Sequence, residues 1–171
     1  MFEDQKSDEL KSYVSDVQID SDLQIMLPDE YIESSEERLL LYKELADIET
    51  ETELQTFKNN LIDRFGKMPL EAENLLESIQ LKWAAKKLGV ERLVMKKGVL
   101  LAYFINKPQS EFYQSEEFRL ILNYVQNNAK NISFKEKSPK NGEEFPTLFL
   151  RFEHVKTVHE ALENMQKLLI Q

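Results

Sequence analysis

Apolar positions recur with two different periods, and the switch between them divides the chain. Asp22-Leu23-Gln24-Ile25-Met26-Leu27 alternates polar and apolar and stops at Pro28-Asp29, which predicts a short extended or edge strand. Helical spacing then takes over. Ser34 or Ser35 caps a first helix, with Glu36 and Glu37 in the turn where carboxylates complement the positive end of the helix dipole. Leu39, Leu40, Tyr42, Leu45 and Ala46 make its apolar stripe. Thr50-Glu51-Thr52-Glu53 is a capping box, in which the Thr hydroxyl accepts from the third amide while Glu53 reaches back. Leu54, Phe57, Leu61, Ile62 and Phe65 follow on one side of a second helix, and Gly66 sits where the chain must enter positive φ. Pro69 suits the first position of a third helix, since its missing N–H costs nothing there. That helix carries Ala72, Leu75, Leu76, Ile79, Trp83 and Ala84, then Lys82, Lys86 and Lys87 near its negative end, before Gly89.

From Arg92 onward the period shortens to two. Arg92–Lys96 and Val99–Ile105, joined at Lys97-Gly98, predict a β-hairpin. Ser115 with Glu116 and Glu117 starts a helix through Phe118, Ile121, Leu122 and Val125 that ends at Asn127-Asn128. Ile132–Lys135 and Leu148–Phe152 are strands around a polar loop holding Pro139, Asn141-Gly142 and Pro146. Thr157 with Glu160 is a second capping box, and Val158, Ala161, Leu162, Met165, Leu168 and Leu169 make the last helix amphipathic. The order β-ααα-ββ-α-ββ-α predicts an α+β fold with an antiparallel sheet of about four strands and helices packed on it, because parallel βαβ units need strict alternation.

Residues 1–20 have little periodicity and are expected to be a linker from an upstream region, leaving 21–171 as one α+β domain. The chain has 171 residues, 42% of them hydrophobic, with ten Phe, six Tyr and one Trp, enough for a sizeable core. No basic segment followed by an apolar run opens the sequence, and no apolar stretch approaches the ~20 residues of a membrane span, so a cytoplasmic location is expected. With 31 acids against 22 bases the net charge is −9, which argues against direct nucleic-acid binding; a basic protein surface is the better electrostatic match, while solubility alone is the plainer reason for such a charge.

Candidate chemistry is sparse. There is no cysteine, hence no disulfide, thiolate or Cys-based zinc site. Gly66, Gly89, Gly98 and Gly142 match neither the P-loop nor the dinucleotide fingerprint, and no cofactor is expected. His154 and His159 do not share a helical face, and His159-Glu160-Ala161-Leu162-Glu163 lacks the second histidine of a zincin, so capping or surface roles fit them. Acid pairs such as Glu36-Glu37 and Glu143-Glu144 have structural work at helix starts and turns and do not by themselves make an acid/base dyad. An enzyme is not expected.

The most specific local pattern is Leu61-Ile62-Asp63-Arg64-Phe65-Gly66-Lys67-Met68-Pro69, a tight αα corner from which Asp63 and Arg64 project. Together with Pro28-Asp29-Glu30-Tyr31-Ile32, Arg38-Leu39, Tyr42 and Lys87-Leu88-Gly89-Val90, it resembles the C-terminal (TRCF) domain of bacterial transcription-repair coupling factors, best over residues 20–105. The resemblance implies a regulatory module without the motor machinery, docking on the family's N-terminal UvrB-like module. Docking would mask the surface that recruits UvrA until the motor meets a stalled RNA polymerase. It also implies an interdomain contact at Asp63, beside Arg64. Asn60 stands where the family commonly has an acid, so that second ionic contact is missing here. An ion pair of Asp63 with Arg64 or a nearby lysine is the plain alternative, worth at most ~1 kcal/mol. Without the resemblance, the residues fit a free-standing protein-binding adaptor or scaffold equally well.

Overall fold

The computed structural model describes residues 13–170. Their elements run β1 (Gln18–Ser21), α1 (Ser35–Ala46), α2 (Glu51–Phe65), α3 (Leu70–Lys87), β2 (Val90–Lys96) and β3 (Val99–Phe104). A 3₁₀ turn (Glu111–Gln114), α4 (Glu116–Asn127), β4 (Ile132–Lys137), β5 (Thr147–Phe152) and α5 (Val158–Leu169) follow. This is the α+β order expected from periodicity. The chain forms two compact units, a helical one of Gln24–Ile79 and a sheet unit built from residues 13–23 and 80–170. Helix α3 starts in the helical unit and ends in the sheet unit.

The caps form where the sequence places them. Ser34, Thr50, Ser115 and Thr157 each accept the third amide of the following helix through the side-chain oxygen, at 3.0–3.2 Å. Each such cap contributes about 1 kcal/mol. Both capping boxes close differently from the expected pattern. Glu53 accepts from the Thr50 hydroxyl at 2.9 Å, and Glu160 accepts from the Lys156 amide at 2.7 Å, one residue before the cap.

In the helical unit Leu27, Ile32, Leu41, Leu45, Leu54, Phe57, Leu61, Met68, Ala72 and Leu76 are buried. Of the stripe expected on α1, Leu45 is buried and Tyr42 half-buried, but Leu39, Leu40 and Ala46 are exposed and Leu41, outside that stripe, is buried. Leu41 and Leu45 face inward, while Leu39 and Leu40 are 55% and 64% exposed. Four consecutive apolar residues, 39–42, cannot all share one side of a 3.6-residue helix, and the sequence does not say which pair wins. Polar ties complete the unit. Tyr31 donates its hydroxyl to the Gly66 carbonyl at 2.7 Å and packs its ring 5.9 Å from Phe65. Arg38 donates to the carbonyls of Ile32 and Glu33 and pairs with Asp29 at 3.5 Å. The Tyr42 hydroxyl accepts from the Leu27 amide at 2.7 Å.

In the sheet unit the strand order is β1-β2-β3-β5-β4. The two hairpins supply the four antiparallel strands expected, and β1 adds a fifth, parallel to β2. The leading strand is thus Gln18–Ser21, not Asp22–Leu27. As an edge strand it needs only one partner, so its polar sequence is no obstacle, and Asp20 pairs with Arg92 at 2.7 Å. Of the linker expected at 1–20, residues 1–12 lie outside the described residues; Val14 and Val17 in the remainder are buried.

Lys97 and Gly98 both take positive φ in the first hairpin turn, as a type I′ connection requires. One sheet face buries Leu93, Met95, Leu100, Ala102, Phe104, Leu150, Phe152 and Ile132. Phe104 anchors it, with its ring 5.8 Å from Phe112 of the 3₁₀ turn and 5.9 Å from Phe118 of α4. Phe112 leaves no room at Gly89, where an added Cβ would lie 2.5 Å from the ring and φ is +69°. Helix α5 contributes Val158, Ala161, Leu162, Met165 and Leu168 to the core.

Candidate docking surface

Asn60, Asp63 and Arg64 all lie on α2 within the helical unit, and the structure brings them to one recess. That recess, about 200 Å³, is lined by Leu41, Glu44, Phe57, Asn60, Leu61, Asp63 and Arg64. A neighbouring one of about 360 Å³ is lined by Glu44, Asp47, Ile48, Thr52, Glu53, Thr56, Phe57 and Asn60. Glu44, Phe57 and Asn60 border both, so the two form a continuous trough between α1 and α2.

The helix geometry explains its composition. Leu41, Ile48, Phe57 and Leu61 point into the core and form the floor. Glu44, Asp47, Glu53 and Asp63 fall on the flanking positions of each helix and form an acidic rim. Arg64 is the single cation among the lining residues. Its guanidinium pairs with Glu37 on α1 and lies 4.8 Å above the Phe65 ring, so it is committed to the helix corner. Asp63 is exposed and carries no ion pair among the described residues, so the local pairing with Arg64 or a lysine is not realised. Asn60 sits centrally, with an uncharged amide where a carboxylate would have deepened the negative potential.

The charge of the whole unit points the same way. Residues 24–79 carry fourteen acids and five bases, a net −9, whereas the rest of the chain carries seventeen of each. The entire formal charge of the protein therefore resides in the helical unit. A negatively rimmed trough with an apolar floor can orient a cationic, amphipathic partner, through complementarity that acts on selectivity and association rate more than on affinity.

Sequence reasoning pointed to Asn60, Asp63 and Arg64 and did not place Glu44, Asp47 and Glu53 beside them in the two recesses. Their signal was helical spacing toward the α2 side, and using it requires knowing which face α1 buries. It placed Tyr42 only in an apolar stripe and gave no structural role to Tyr31 and Arg38. These are the ties that hold the corner in place, and they account for much of the pattern on which the resemblance rests. Among the described residues no group of three or more His, Asp or Glu is placed to hold a metal ion. No helix is long and apolar enough to cross a membrane.

Fold and surface together define an α+β domain whose helical part leads, by one shared helix, into a mixed five-stranded sheet. The TRCF domain family model matches residues 21–115, more than half of the chain, and the chain belongs to that family. It is 35% identical over 126 residues to a transcription-repair-coupling factor of Staphylococcus epidermidis, a match covering 69% of this chain and 11% of that protein. To the transcription-repair-coupling factor of Escherichia coli K12 it is 44% identical over 68 residues, covering 40% of this chain and 6% of the relative. The chain thus spans about a tenth or less of the length of these curated relatives. A crystal structure of the C-terminal domain of a transcription-repair coupling factor superposes with a TM-score of 0.64 at 23% identity, over 90% of this chain and 92% of that one. That likeness covers more of the chain than the family match does.

Proposed function

We propose that this chain is the regulatory interaction domain of a transcription-repair coupling factor and has no catalytic activity of its own. In this reading it docks on the N-terminal UvrB-like module of the same protein and masks the surface that recruits UvrA. The mask is released when the motor engages a stalled RNA polymerase. The partner is a protein, no cofactor takes part, and the setting is the cytoplasm.

The observation that carries the reading is the acid-rimmed trough on a unit of net −9, with Asp63 exposed at its edge and without an ion pair among the described residues. Family membership supplies the context. A reversible clamp needs a coupling of only ~1–3 kcal/mol, which a few screened ion pairs around an apolar floor can provide.

The test is a titration of the chain against the family's N-terminal UvrB-like module, by calorimetry or anisotropy, across a salt series. A complex that weakens with salt, and weakens further with Asp63→Lys, is the expected outcome. Because Asp63 is exposed, that substitution should alter the stability of the chain by less than about 0.5 kcal/mol, so lost binding is not lost folding. An absence of association at low salt, with the two modules tethered in one chain, overturns the proposal.

A further inference from the structure

The second face of the sheet differs from the acidic trough in every respect. Directly paired residues on neighbouring strands share a face, and the registers Arg92 with Tyr103, Val94 with Leu101, Tyr103 with Phe149, Leu101 with Arg151 and Lys135 with Phe149 define this one. Lys96 and Lys137 lie on it too, opposite Val99 and Thr147. Its centre is the pair Tyr103 and Phe149 on adjacent strands, both half-buried, with ring centroids 4.9 Å apart. Cations surround the pair. The Arg92 guanidinium is 5.6 Å and the Lys137 ammonium 5.9 Å from the Tyr103 centroid. Beside them a recess of about 150 Å³ is lined by Arg92, Lys137, Lys140, Tyr103 and Thr147, with Glu91 and Glu143 also at its wall.

The cations on this face are incompletely neutralised. Asp20 pairs with Arg92 and Glu153 with Arg151, whereas Lys96, Lys135 and Lys137 carry no ion pair among the described residues. Lys137 above all, then burial and, least, Arg92, push the Lys140 ammonium below its ordinary pKa, with Glu143 only partly offsetting them.

We infer that this face binds single-stranded nucleic acid, with a base stacked at Tyr103 and Phe149 and phosphates held by Lys135, Lys137, Lys140 and Arg92. A flat surface with two central rings and a cationic surround suits planar bases joined by phosphodiesters. An acidic polypeptide would satisfy the cations but would have no use for the ring pair. The net charge of −9 does not describe this face, because the sheet unit carries as many bases as acids. The inference is independent of the docking reading.

The experiment is fluorescence anisotropy of the intact chain with labelled oligothymidine of about a dozen nucleotides. Binding should weaken on the order of 20-fold between about 50 and about 200 mM salt, as about three phosphate contacts on a single strand require. Lys137→Glu combined with Lys140→Glu should weaken it at least about tenfold, and Tyr103→Leu about tenfold for oligothymidine but little for an abasic oligomer of equal length. Far-UV circular dichroism and the thermal midpoint certify that each variant is folded, and Phe149→Leu replaces Tyr103→Leu if that one is not. Absence of binding at about 50 mM salt, equal displacement by polyglutamate, equally tight binding of duplex DNA, or retention by the lysine double variant would each overturn the inference.

Discussion

The helical unit and the sheet unit differ in hydrophobic period, in how they are held and in what they expose. The helical unit relies on side chain to backbone ties from Tyr31, Arg38 and Tyr42, around a modest aliphatic core, and carries the whole net charge. The sheet unit relies on a cluster of rings around Phe104 and Phe112, is electrically balanced, and turns a cationic aromatic face outward. An average over the chain, −9 and uniformly polar, describes neither. Function read from net charge alone therefore points to one class of partner where the molecule offers two kinds of surface.

The comparison can be broken most forcefully in the sheet unit. Phe104 is fully buried and touches rings on three other elements, so Phe104→Ala should cost about 3–5 kcal/mol in urea unfolding. Hydrogen exchange should report the loss first in the strands. If α1 and α2 lose protection to the same extent, the two units form one cooperative block and the contrast in how they are held has no energetic meaning.

A smaller effect belongs to the helical corner. Tyr31→Phe keeps the ring against Phe65 but removes the hydroxyl from the Gly66 carbonyl, which should cost about 1 kcal/mol and speed exchange near Gly66 while leaving the strands unchanged. A thermal midpoint equal to the parent's would show that the tie is decorative.

The finest discrimination comes from alkaline pH. Tyr113 donates its hydroxyl to the Ile105 carbonyl, and burial, reinforced by the Glu91 carboxylate, pushes its pKa from 10.0 to about 12. The folded state keeps this proton where the unfolded state loses it, so the contribution is complete below pH 10.0 and drains away as pH rises toward about 12. Stability measured across that window should fall less steeply in Tyr113→Phe. An unchanged slope would mean that Tyr113 titrates normally.

The local design of this protein was legible from its residues. Caps at Ser34, Thr50, Ser115 and Thr157, the stop at Gly66 and the turn at Lys97-Gly98 are contests settled within a few residues, between backbone groups and nearby side chains, whereas Pro69, expected as the first residue of α3, stands just before its start at Leu70. So was the order of elements, because the hydrophobic period changes with the secondary structure. Asp63 and Arg64 stood out from the helix–Gly–Pro corner, whereas Asn60 was singled out only through the family resemblance. What the tertiary structure alone decided is which of several local options is used. Leu41 rather than Leu40 faces the core, and Gln18–Ser21 rather than Asp22–Leu27 joins the sheet. The acid-rimmed trough and the aromatic and cationic sheet face are decided there too. Each depends on residues far apart in sequence meeting in space, and in the sheet unit on a chain that leaves at Leu23 and returns at Gln80. Packing and long-range pairing set those meetings, and no period of two or 3.6 residues encodes them.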